Sequence, residues 1–183
     1  MLNSQFKLRP KTLRNSVPLA STIKNIKRQP IYFILDNVLD TYNVGSIFRL
    51  ADAVSASRVY LCGETETPPN TKIKKASINT WQWTDWRYKP DVLAAIDELR
   101  QEIKGIKIIS VEQNEQSQLY HQAKYPLPLA LIVGNETRGV SEVAIAKSDF
   151  LVELPMFGVN SSLNVIVSLA VVAYEVLEKN KIK

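Results

Sequence analysis

One cysteine, Cys62, and one histidine, His121, stand in 183 residues. A single cysteine excludes an internal disulfide and a cysteine-rich zinc site. A single histidine leaves no basis for histidine-rich metal or triad chemistry, so no metal is expected. A reducing cytoplasm is the expected compartment. Long apolar runs are missing as well. The most apolar stretch, Leu163 to Leu177, is interrupted by Ser168, Tyr174 and Glu175. It falls short of the ~20 residues of a membrane span and reads as a core helix, with no membrane partner. Phosphate-loop fingerprints are absent: no G-x-G-x-x-G follows the first apolar run. "GNETRG" has P-loop spacing and Ser141 at the Ser/Thr position, but Val140 stands where the Lys is required, and Glu136 would repel a phosphate. These absences argue against a nucleotide-dependent enzyme on an ordinary doubly wound sheet.

Acidic residues are missing from one region only. Residues 1–30 hold seven Lys/Arg (Lys7, Arg9, Lys11, Arg14, Lys24, Lys27 and Arg28) and no Asp or Glu. The remainder nets −2, so the whole +5 comes from this arm. Such an arm suits a polyanion, because each neutralised phosphate releases counterions. A solvated tail is the plainer reading. An organellar transit peptide fits less well, since Pro10 and Pro18 interrupt any amphipathic helix. The remaining length suits one domain with a sizeable core. We divide the chain into a basic arm, 1–30, and a domain, 31–183.

Along that domain, strand and helix signals alternate. "IYFIL" (31–35), "RVYLCG" (58–63), "KIISVE" (107–112), "PLALIVG" (128–134) and "FLVEL" (150–154) read as strands. "NTWQWTDWRY" (79–88) alternates aromatic and polar residues and predicts a strand with Trp81 and Trp83 on one face. Helices are predicted over 43–56, 70–77, from Pro90 to about Gly105, just after Gly139, and over 163–178. Alternation of this kind implies an α/β fold with a mostly parallel sheet flanked by helices. Its ligands belong at the carboxyl ends of strands, just after 35, 62, 112, 133 and 154.

Three loops at those ends concentrate polar groups: "DNVLDTYNVGSIFR", "GNETRG" and "PMFGVNSSLN". Each has a structural explanation. Asn43 can cap its helix. Gly134 and Gly139 can serve turns. Ser162 can cap the last helix, with Asn164 in its first turn. Loops of this composition also expose backbone N–H and C=O groups able to read an adenine edge and ribose hydroxyls.

"NVGSIFRLADA", "LIVGNETRGV" and "LPMFGVNSSLNV" together resemble the three signature motifs of the SpoU (TrmH-type) branch of the SPOUT RNA methyltransferases, in order and across roughly residues 31–178. The resemblance implies a SPOUT-type fold with a C-terminal deep trefoil knot, an exception to the unknotted-chain rule. It implies a homodimer that transfers a methyl group from S-adenosylmethionine to a ribose 2′-hydroxyl of tRNA or rRNA. The family's catalytic positions fall on Asn43, Arg49, Glu136, Ser162 and Asn164. Its cofactor-binding positions fall on Leu131, Val133, Gly134, Leu154, Met156, Ser162, Leu163 and Asn164. Glu136 is expected to orient Arg49. Family members often have Thr where Leu50 stands, and Ser or Thr where Ile166 stands. Many carry a separate N-terminal RNA-binding domain; about 30 residues precede the first strand here. RNA capture then rests on the arm, the second subunit and patches such as Lys72, Lys74 and Lys75. Trp81, Trp83 and Trp86 either stack on unpaired bases or pack on the sheet. The last helix has little polar face and calls for cover from a second subunit. A catalytically inactive RNA-binding module of the same fold is the alternative.

Overall fold

The computed structural model describes residues 8–182; Lys7 of the basic arm lies outside them. Two short helical segments, α1 (Pro10–Leu13) and α2 (Ala20–Lys24), precede the first strand. The order is then β1 (Gln29–Asp36), α3 (Thr41–Ala53), β2 (Ala56–Cys62), α4 (Thr71–Ser77), β3 (Trp86–Lys89), α5 (Val92–Glu102) and β4 (Lys107–Val111). It continues with β5 (Gln118–Leu119), β6 (Leu129–Gly134), α6 (Glu142–Lys147), β7 (Phe150–Glu153) and α7 (Val165–Lys179). The strands form one sheet in the order β3-β2-β1-β6-β4-β7-β5, and every neighbouring pair is parallel. Both faces are covered, which is why the central strands are apolar at nearly every position. Side chains alternate along each strand. Ile31, Phe33 and Leu35 of β1 join a core with α3 and α7, while Ile34 joins a second core with α5. No helix among the described residues is long and apolar enough to cross a membrane.

Residues 79–88 do not form one strand. Ile78 and Asn79 take left-handed φ values of 52° and 66° and turn the chain. A 3₁₀ turn follows at Thr80–Gln82, and only Trp86–Lys89 extends along the sheet edge. The aromatic alternation reflects packing on α3. Trp83 is buried and its Nε1 donates to Asp52 (2.7 Å), while Trp86 meets Phe48 edge-on at 6.5 Å. The strand β5 lies in a polar segment that carries no strand signal. Helix α7 is half covered: Leu169, Val172, Ala173 and Val176 are buried, while Val167 and Tyr174 are exposed.

The edge strand β3 is held by a cluster of charges. Glu98 accepts from Lys89 Nζ, from Tyr60 OH (2.8 Å) and from Arg87 Nη1 (2.7 Å). Burial alone would raise its carboxyl pKa, but the bonds from Lys89, Tyr60 and Arg87 outweigh it and push it down to about 2. A depressed folded-state pKa contributes stability above the unfolded value, and that contribution disappears as pH falls through the folded one. Wild-type protein is therefore expected to lose stability as pH drops from about 4.3 toward 2. Glu98→Gln should be less stable at neutral pH and lose less over that window, as read from urea midpoints. Parallel pH profiles for the two proteins would refute this.

Candidate active site

Four strands end at one rim: β1 at Asp36, β4 at Val111, β6 at Gly134 and β7 at Glu153. A cleft of about 530 Å³ opens there. It is lined by Glu112 past β4, Gly134 to Gly139 past β6, Leu154 and Met156 past β7, and Asn160 to Val165 ahead of α7. This is the carboxyl-end location that parallel sheets use for ligands, at a size suited to a small molecule. Val133, Gly134, Leu154, Met156, Ser162, Leu163 and Asn164 all face it. Leu131 does not: it lies fully buried in the sheet core below the rim.

The β6 loop is rigidly built. Asn135 and Gly139 exchange two backbone hydrogen bonds (3.0 and 2.8 Å), and Asn135 Oδ1 accepts from the N–H groups of Thr137 (2.9 Å) and Arg138 (3.0 Å). Asn135 Nδ2 donates to the Asn37 carbonyl (2.9 Å) and so ties the loop to the end of β1. From the other side, Glu112 Oε2 accepts from Val140 N–H (2.7 Å). Glu112 thus anchors the loop to β4, a role the sequence reading missed even though position 112 ends a predicted strand. Arg138 and Asn160, also unflagged, line the same cleft.

One chain of hydrogen bonds joins the three polar loops. Glu136 Oε1 accepts from Asn43 Nδ2 (2.9 Å) and from Asp40 N–H (3.0 Å), and Oε2 accepts from Leu39 N–H (3.1 Å). Asn43 Oδ1 accepts from Asn164 Nδ2 (3.1 Å), and Asn164 Oδ1 accepts from Ile166 N–H (3.0 Å). The direction follows from valence. An ionised carboxylate only accepts, so Asn43 must turn its amide nitrogen to Glu136 and its oxygen to Asn164. Burial alone would raise the Glu136 carboxyl pKa, but the Asn43, Leu39 and Asp40 donors hold it below the usual range.

Several expectations change. The cap of α3 is Asp40, which accepts from Tyr42 N–H (2.7 Å), because Asn43 lies a turn further in and is buried. The cap of α7 is Asn164, not Ser162, since the helix begins at Val165. Ser162 sits in the exposed loop, where its N–H donates to Asn160 Oδ1 (3.3 Å). No hydrogen bond or ion pair joins Glu136 to Arg49 among the described residues; Glu136 is bonded instead to Asn43 and two backbone donors. Arg49 lies on the exposed side of α3 with Tyr42 and Ala53. Among the described residues it makes no side-chain hydrogen bond or ion pair. The structure therefore joins Asn43, Glu136 and Asn164, and leaves Arg49 and the Ser162 hydroxyl open to other partners.

Fold and site define a class: a parallel α/β protein with a ligand cleft built from loops after β4, β6 and β7 and tied by Asn43 to the first helix of its sheet. The chain belongs to the SpoU rRNA Methylase family, whose family model matches residues 30–174. It is 31% identical over 150 residues to a tRNA (guanosine(18)-2'-O)-methyltransferase of Thermus thermophilus, covering 81% of this chain and 75% of that one. It is 29% identical over 170 residues to the 23S rRNA (guanosine-2'-O-)-methyltransferase RlmB of Neisseria meningitidis, covering 93% and 67%. The solved structure of the SpoU methyltransferase AviRb from Streptomyces viridochromogenes, in complex with AdoMet, shares the fold. Its TM-score is 0.77 at 23% identity, over 86% of this chain and 60% of that one. The chain spans 59% of a further relative, YacO of Bacillus subtilis, so some relatives are considerably longer.

Proposed function

We propose that this chain is an S-adenosylmethionine-dependent methyltransferase acting on a ribose 2′-hydroxyl of tRNA or rRNA. The observation that carries the reading is the Glu136–Asn43–Asn164 chain, in which Asn43 bonds both partners and couples all three motif loops at the rim of a ligand cleft. The relatives support it, being named as 2'-O-methyltransferases of tRNA and 23S rRNA. The relatives' names also favour this reading over the alternative of an inactive binding module of the same fold.

The residues of the cleft fit the cofactor. Val133, Leu154, Met156 and Leu163 offer apolar flanks, the loop backbone offers donors and acceptors, and Glu112 and Glu153 suit a cation. When bound, S-adenosylmethionine supplies an electrophilic methyl group on a sulfonium centre. The chain's own task is to align a weak nucleophile, which proximity can accomplish without a covalent intermediate. Arg49 clamps a phosphate beside the target ribose and stabilises the developing alkoxide. A guanidinium keeps its proton in proteins, so Arg49 is not the base, and the hydroxyl proton would pass to solvent water. Ser162 and Asn164 position the hydroxyl and close the cofactor pocket. Glu136 ties the β6 loop to the start of α3, and Asn43 links α3 to α7 through Asn164.

The same reading covers the arm (1–30) and the methyltransferase domain (31–183). It includes a C-terminal trefoil knot, with which the strand order β3-β2-β1-β6-β4-β7-β5 is compatible. It includes a homodimer, supported by exposed apolar groups on α7 and the loop before it: Leu163, Val167, Tyr174, Phe157 and Val159. It includes a cytoplasmic location, in keeping with the single cysteine, Cys62, which is buried as a free thiol.

The test is incubation with labelled S-adenosylmethionine and RNA from a strain lacking the gene, followed by mapping of the labelled nucleotide. A 2′-O-methyl on tRNA or rRNA is expected, from a protein that scatters light as twice 20.7 kDa. Label on protein or DNA, with none on RNA, would sink the reading.

A further inference from the structure

Neither residues 1–35 nor residues 67–84 contain an Asp or Glu, and the fold brings the two stretches together. The arm presents Arg9, Lys11 and Arg14, and α4 presents Lys72, Lys74 and Lys75. All six are exposed, and among the described residues none is in an ion pair.

Asn79 makes the join. It is buried, and its N–H reaches back to the Lys74 carbonyl (3.5 Å) in the last turn of α4. Its Nδ2 donates to the carbonyls of Leu13 (2.8 Å) and Arg14 (3.3 Å). Asparagine tolerates the left-handed φ of 66° at this position. The arm is thus docked beside the carboxyl end of α4, whose dipole also favours cations.

Helix α4 in turn lies close against α3. A Cβ on Gly45 would meet Ala76 Cβ at 2.6 Å and the Ile73 carbonyl at 2.8 Å. Arg49 lies one turn beyond Gly45 on the same side of α3. An acid-free surface of α1 and α4 therefore lies beside the part of α3 that carries Arg49, whose neighbour one turn on, Asp52, accepts from Trp83 Nε1 (2.7 Å).

We propose that the docked arm and α4 form one preformed surface for the phosphate backbone of RNA, leading to Arg49. The proposal rests on the methyltransferase reading and deepens it, since capture falls to an ordered face of this chain and not to a loose tail. Each phosphate neutralised contributes about 0.7–0.9 to the slope of log K against log salt.

The experiment measures binding of a mixed tRNA preparation to full-length protein from low to moderate salt. Lys72, Lys74 and Lys75 changed together to alanine should flatten the slope by about 2–3 units. Arg9, Lys11 and Arg14 changed together should do the same. Asn79→Gly removes no charge and keeps a residue suited to positive φ, yet should flatten the slope like the arm variant. All three should still bind S-adenosylmethionine. A wild-type slope in Asn79→Gly, or in the lysine variant, would overturn the proposal while leaving the methyltransferase reading intact. So would binding to anionic phospholipid vesicles that excess tRNA does not displace. A wild-type protein that neither binds RNA nor methylates it would instead overturn the methyltransferase reading itself.

Discussion

Replacing Arg49 with alanine is expected to lower methyl transfer by about two to three orders of magnitude, the usual cost of removing a donor aimed at developing negative charge. S-adenosylmethionine affinity and thermal stability should stay near wild type. The asymmetry follows from where Arg49 stands. Its side chain is exposed, bonds to nothing among the described residues, and is not part of the cleft lining. Neither the fold nor the pocket depends on it, so its loss is felt only when RNA is present. Arg49→Lys should recover part of the rate at most, because an ammonium lacks the planar fork that grips a phosphate. Single-turnover rates with saturating cofactor, beside calorimetric titration of the cofactor, make the measurement. An Arg49→Ala protein retaining most of its rate would remove this residue from the mechanism.

Gly134→Ala should fail in the opposite way, at the cofactor. A Cβ at position 134 would fall on the backbone of Gly139 and on Val140 N. Those atoms belong to a closed loop, held by the Asn135–Gly139 bridge and by Glu112 on Val140 N–H. They cannot retreat as a flexible side chain does. Overpacking of this kind costs about 1–3 kcal/mol. Expressed in the loop, that is a roughly tenfold to hundredfold loss of cofactor affinity. Calorimetry with S-adenosylmethionine, with circular dichroism to confirm the sheet, tests it. Unchanged affinity would mean that the cofactor does not depend on this turn.

Much of the architecture was legible because burial writes itself into composition. "IYFIL" and "LALIV" are apolar at consecutive positions because helices cover both faces of the sheet, and a one-sided sheet would have alternated. The rim of the cleft was legible by the same logic, since polar loops following buried strands converge at one edge. Local pattern misled where a turn intervened. The alternation in "NTWQWTDWRY" has a strand's period, but positive φ at Ile78 and Asn79 bends the chain first. Capping misled by proximity, because Asp40 and Asn164 serve as caps where Asn43 and Ser162 also looked suitable.

The candidate site divides along a similar line. The resemblance of three motifs to the SpoU family pointed to Asn43, Arg49, Glu136, Ser162 and Asn164, whose catalytic roles are proposals. Their pairing was not legible. Glu136 bonds to Asn43 across 93 residues, and Asn43 to Asn164 across 121. Nothing local distinguishes those partners from the Arg49 that was expected for Glu136. Local sequence thus indicated most strands and helices, the parallel sheet and the chemical inventory of its rim, all properties of short segments and their burial. Which inventory members touch, which carboxylate anchors the β6 loop, and where the basic arm docks were decided only by tertiary structure. Contacts between distant segments depend on how the strands are ordered in the sheet, and no single segment carries that order.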